Sequence, residues 1–188
     1  PPPTSTLFPY TTLFRSYYCR EQNLAPQGIT APDGDIIKTP SWMIVGNNAR
    51  IPYKWGGFNT LSQYASGLQN GLYAGDINTA GVSSYAVGLD CSGFVSSCWQ
   101  FTSKYSTSMM LSASNIIQYA SWDELKPGDA ILKSGHVRMF VERNPNGSFK
   151  TVEAAARNWD VSYWSFSLND LSARSEERRV GKECRSRW

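Results

Sequence analysis

Four short apolar runs crowd the second half of the chain: DAILK, HVRMFVER, FKTVEAAA and VSYWSFS, separated by SG, NPNG and RNWD. The separators are turn chemistry and the runs have strand composition, so the stretch reads as four antiparallel strands in succession. On the second run His136, Arg138 and Phe140 share one face, and Val137, Met139 and Val141 share the other. Upstream, in GLDCSGFVSSCWQ (88–100), Phe94, Val95, Cys98 and Trp99 recur at helical spacing, and Asp90 is a good N-cap for a helix starting there. A helix layer followed by a meander predicts an α+β architecture.

The remainder is less periodic. Residues 17–40 are polar and punctuated by Pro and Gly, as in an extended wrapping segment. SWMIVGNNARIPYKWGG (41–57) reads as a helix running into a turn, 57–88 as an insertion of loop and short helix, and SASNIIQYA (112–120) as a helix capped by Ser112 or Ser114.

The two ends carry a different signal. The tail RSEERRVGKECRSRW (174–188) back-translates into a string resembling a sequencing-library adapter, whose reverse complement encodes PPRSTLFPYTTLFRS. Pro2 to Ser16 repeats that peptide with Thr4 in place of Arg. Residues 1–16 and 174–188 are therefore read as adapter-derived, 17–47 as a lead, and 48–173 as one domain whose closing strand is expected to be cut short. On this reading the native N-terminus, and any signal peptide, lies outside the chain.

Setting the ends aside also removes the basic charge. Of 18 Lys+Arg and 15 Asp+Glu, the ends hold 7 and 3, which leaves 11 against 12. Nothing then favours nucleic acid or an anionic membrane as partner. No apolar run approaches the roughly 20 residues needed to span a bilayer, and no feature marks an oligomeric state.

Cys19, Cys91 and Cys98 remain. Cys91 and Cys98 lie seven apart, two helical turns or roughly 10 Å, too far for a disulfide. With a single histidine and no C-x-x-C pair, a metal site is not expected. Cys98 reads as core. Cys91 reads either as a small buried hydrophobe or as a nucleophile, because unpaired N–H groups and the macrodipole at a helix start favour thiolate. Ser92 and Gly93 are small enough for a substrate carbonyl to reach the backbone amides.

His136 opens its strand just after a turn. With the NPNG turn centred between Pro145 and Asn146, or one residue back, position 136 falls opposite 155 or 153. Glu153 then lies diagonal to the imidazole or beside it, placed to orient the ring as the third member of a nucleophile–base–orienter set. Taken singly, His136 also fits a half-exposed strand end and Glu153 a solvated carboxylate.

LDCSGFVSSCW, LKPGDAILKSGHVRMFV and TVEAA, with IPYKWGG upstream, resemble the NlpC-type cell-wall peptidases, a papain-like cysteine hydrolase family, over roughly residues 48–170. The resemblance implies Cys91 as nucleophile, His136 as general base and Glu153 at the third polar position, where the family more often has His, Asn or Gln. Asn158 and Asp160 are weaker choices for that third role. It further implies Tyr53, Ser92 and Asp90 around the oxyanion and substrate-positioning site, and Trp55 and Gly56 along the cleft. Tyr53 also fits a core aromatic. The insertion 57–88, longer than the family's usual spacer, reads either as a specificity element using Trp55, Tyr64, Tyr73 and Asp76 or as a surface excursion. The implied activity is cofactor-free hydrolysis of an amide bond in peptidoglycan stem peptides, outside the cytoplasmic membrane. Two alternatives are a hydrolase or acyltransferase acting on another acyl substrate, and an inactive cell-wall binding module.

Overall fold

In a computed structural model describing residues 16–172 and 178–182, the lead is tied down by four short strands: β1 (Tyr17–Cys19), β2 (Ile29–Thr30), β3 (Ile36–Ile37) and β4 (Gly46–Asn48). β1 pairs with β4 and β2 with β3, both antiparallel. The insertion holds α1 (Leu61–Gln69), β5 (Tyr73–Ala74) and β6 (Ala86–Val87), the last two a parallel pair. Next come α2 (Cys91–Cys98), α3 (Thr107–Ser112), β7 (Ile116–Gln118), β8 (Ala130–Lys133), β9 (His136–Arg143), β10 (Phe149–Ala155), β11 (Asp160–Phe166), α4 (Leu168–Ser172) and β12 (Arg178–Lys182). The main sheet runs β11-β10-β9-β8-β12-β7, and every pair in it is antiparallel. The expected meander is β8 to β11, α2 packs on β9 and β10, and the architecture is α+β.

Two expected helices are absent. Residues 41–57 hold no helix: the Asn48 side chain donates to Ile44 O and Gly46 O and accepts from Ile44 N, a local network that competes with helical bonding. In 112–120 the helix ends at Ser112, where the expectation had it begin, and its cap is Ser106, whose Oγ accepts from Met109 N. Ile116–Gln118 instead form a strand because β12 supplies backbone partners. β12 lies in the tail read as adapter-derived, and it fills the place between β8 and β7. Residues 1–15, 173–177 and 183–188, which make up the rest of those ends together with Ala173, lie outside the described residues.

The sheet has two unlike faces. On one, Val137, Met139, Val152 and Ala154 meet Phe94, Val95 and Trp99 in the main core. On the other, Phe140 and Phe149 pack with Ile131, Leu125 and Leu171. Between these faces the register matters. The β9–β10 hairpin starts with Arg143 opposite Phe149 and Glu142 opposite Lys150, then slips so that Phe140 faces Thr151 and Met139 faces Val152. Val141 is the extra residue of a β-bulge. Continued toward the strand ends, the slipped register aligns 138 with 153 and 136 with 155. Without the slip Glu153 would face the apolar side.

A second constraint is a close approach between the loop 52–57 and the start of α2. Asp90 N donates to Gly57 O (3.2 Å), Lys54 N to Leu89 O (3.1 Å) and Gly57 N to Lys54 O (2.9 Å). A Cβ on Gly93 would lie 1.8 Å from Gly57 O, and one on Gly57 would lie 2.5 Å from Gly88 O. Gly93 therefore lacks a side chain because a backbone carbonyl of the protein occupies that space, and it is not where a substrate carbonyl enters. Helix propensity alone predicts that Gly93→Ala stabilises by about 1 kcal/mol. The contact predicts the opposite, a loss of roughly 3 kcal/mol in urea denaturation, because neither backbone can give way.

Candidate functional site

α2 starts at Cys91 because Asp90 is extended and its Oδ1 accepts from Gly93 N (2.7 Å). The same oxygen accepts from Ser92 Oγ (3.0 Å), and Oδ2 is ion-paired with Lys104. Cys91 is partly buried in the first turn, with the backbone N–H groups of Val137 and Ser92 directed at its sulfur. Val137 directly follows His136, so the thiol sits against the beginning of β9.

That setting raises the thiol's pKa. Burial, then the adjacent Asp90 carboxylate, push Cys91 up to about 11, against the weaker pull of the Val137 and Ser92 N–H groups and Lys104. The expectation that a helix start would favour thiolate is corrected: desolvation and the like charge of Asp90 outweigh the N–H groups of Val137 and Ser92.

Glu153 is fully buried, and His136 Nε2 is hydrogen-bonded to its Oε2. Arg138 Nε lies 3.4 Å from Oε2 and Arg157 Nη2 lies 3.0 Å from Oε1. Burial would raise this carboxyl, but the hydrogen bond and charge of His136, then Arg138 and Arg157, hold it below the ordinary value of 4.5. With Nε2 committed to Glu153, Nδ1 is the ring nitrogen left for other work.

The other expected residues divide. Tyr53 is buried, packs edge-on against Trp159 at 5.4 Å, and has its hydroxyl pKa raised by burial, Asp90 and Cys91, so it lies beside the thiol. Ser92 is buried with its hydroxyl committed to Asp90. Trp55 is exposed, and Gly56 adopts φ +70° with Val82 over it. Asn158 is exposed in the β10–β11 turn, and Asp160 is buried and paired with Arg50, so neither contacts His136. Within the insertion, Tyr64 and Asp76 are buried, the first against Tyr17 and the second accepting from Lys38 N and Asn78 N. These two hold the insertion in place and offer no surface of their own to a substrate, whereas Tyr73 is half-buried. Cys98 borders the core and lines a cavity of about 290 Å³ with Asn59, Leu61, Leu89 and Phe94.

Four contributors had no assigned role beforehand: Arg138, Arg157, Lys104 and Trp159. Arg138 left one trace, a cation set between the apolar Val137 and Met139 on the face of His136. Lys104 and Arg157 sit in stretches with no local signal. Among the described residues no cluster of three or more His, Cys, Asp or Glu side chains is suited to hold a metal, and no helix is long and apolar enough to cross a membrane. No protein-family model, curated protein or solved structure matches the chain.

Alkylation of Cys91 by iodoacetamide is expected to keep accelerating past pH 9, with Asp90→Asn moving the profile to lower pH because one raising charge is removed while Lys104 remains. Mass-resolved rates at Cys91 and Cys98 check this. The lowered carboxyl of Glu153 contributes stability that is complete above the ordinary glutamate value and lost as pH falls through the folded one. Between pH 5 and 3 the wild-type melting temperature should therefore fall further than that of Glu153→Gln.

Proposed function

We propose that this chain is a cysteine hydrolase of papain-like, NlpC-type fold that cleaves amide bonds in bacterial peptidoglycan stem peptides, its parent protein acting outside the cytoplasmic membrane. The observation that carries the reading lies at the start of β9, where the Val137 N–H is directed at the Cys91 sulfur and the preceding residue, His136, is hydrogen-bonded to buried Glu153. The substrate class rests on the resemblance of four sequence motifs.

Because Cys91 rests as a thiol, attack is coupled to proton transfer. As Sγ adds to the substrate carbonyl, His136 Nδ1 takes the thiol proton and the carbonyl oxygen becomes an oxyanion beside the Ser92 N–H and the Tyr53 hydroxyl. Collapse breaks the C–N bond, the imidazolium returns its proton to the leaving amine, and an S-acyl enzyme remains. Water, deprotonated by His136, then hydrolyses the thioester and regenerates the thiol. Trp55, exposed on the loop that clasps α2, is a surface for the stem peptide.

A second reading draws on the raised thiol itself: a cysteine held protonated also suits a binding module that has lost its chemistry. Digestion of purified peptidoglycan, read by mass spectrometry of released fragments, separates the two. The hydrolase predicts new amine and carboxyl termini with wild type and a loss on the order of a thousandfold or more in Cys91→Ala. Binding without fragments in both proteins sinks the hydrolase.

A further inference from the structure

The face of the sheet away from α2 carries, around Glu153, two arginines to which the sequence motifs give no role. Glu153 is buried among two guanidinium groups, and each of these is stacked on an aromatic ring of β11. Arg138 lies 4.3 Å from the Phe166 ring centroid, and Arg157 lies 4.3 Å from Trp164 and 5.2 Å from Phe166. Phe166, Trp164 and Ser162 stand opposite Phe149, Thr151 and Glu153 across β10–β11, and Trp164 Nε1 donates to Ser162 Oγ (3.0 Å). The arginines are thus positioned by stacking before they meet the carboxylate. His136 and Arg138 from β9 and Arg157 from the β10–β11 turn are the charged or titratable groups facing Glu153.

The chemistry turns on which partner of the His136–Glu153 hydrogen bond owns the proton. An ionised Glu153 can only accept, so the ring carries its proton on Nε2 and presents a lone pair at Nδ1. A protonated Glu153 would donate to Nε2 and force the proton onto Nδ1, leaving nothing there to accept from a thiol. A buried carboxyl without cations takes up a proton. We propose that Arg138 and Arg157 are positioning residues that select the His136 tautomer, holding Glu153 as a pure acceptor so that Nδ1 stays free to act as a base. This rests on the reading of His136 as the base for Cys91, and it extends that reading to two residues that touch neither the thiol nor the substrate.

The test is direct because the chain has one histidine. Nitrogen-15 NMR of histidine-labelled protein gives a single pair of ring signals, and in the neutral ring the protonated and bare nitrogens are well separated. Wild type and Arg138→Lys, which keeps the charge, should carry the proton on Nε2. Arg138→Met should move it to Nδ1, with S-acylation of Cys91 by an activated ester slowed about tenfold to a hundredfold. Arg157→Met, altering a side chain about 34% exposed and therefore safe for folding, should shift the signals part of the way. Nε2 protonation unchanged in Arg157→Met and in every folded Arg138 variant overturns the proposal. If the tautomer responds as stated while peptidoglycan is not cleaved, the positioning role stands and the hydrolase reading falls. Cleavage with an unresponsive tautomer overturns the positioning role alone.

Discussion

One extra residue in β9, Val141 at the Lys150–Thr151 step, decides which side of the sheet Glu153 occupies. With the bulge in place, Val152 and Ala154 complete the apolar bed for α2, while Thr151 and Glu153 join Phe140, Arg138 and His136 on the reverse. Removing the slip would press a carboxylate into the main core, at a cost of several kcal/mol. The bulge therefore serves stability and geometry together, and the same step that spares the core brings Glu153 to His136. A buried carboxylate still needs compensation on the reverse side, and Arg138 and Arg157 supply it, braced by Trp164 and Phe166.

Across the sheet, the thiol is held by backbone more than by side chains. Gly57 O against Gly93 and Asp90 N pins the start of α2, and Asp90 caps it, an arrangement worth about 1 kcal/mol for the cap alone. That cap has an electrostatic consequence: the carboxylate that builds the helix start also opposes ionisation of Cys91, and Lys104 only partly offsets it. Under the proposed reading the base for Cys91 comes from β9, which would tie the roles of the two faces to each other.

The meander was legible because strand composition and turn residues agreed, and α2 because Asp90, Cys91 and the apolar spacing all mark the same start. The register of Glu153 was legible only as a pair of options. The correct alignment arises from a longer NPNG-containing loop followed by a bulge, and bulges leave little local trace. Ile116–Gln118 looked helical because their partner strand lies some sixty residues away in a tail whose composition argued for exclusion. Tyr64 and Asp76 were open to two readings, cleft residues or part of a surface excursion, and burial makes one core and the other a backbone clamp. The raised thiol of Cys91 was hidden for a related reason, since helix position is visible in sequence and desolvation is not.

The central claim is that His136 serves the Cys91 sulfur. Burst acylation by p-nitrophenyl acetate, with the modified residue located by mass spectrometry, measures this most directly at neutral pH. The account predicts acylation at Cys91 and not at Cys98, falling about a hundredfold or more in His136→Ala. Equal bursts in wild type and His136→Ala, or label shared between the two cysteines, would contradict it.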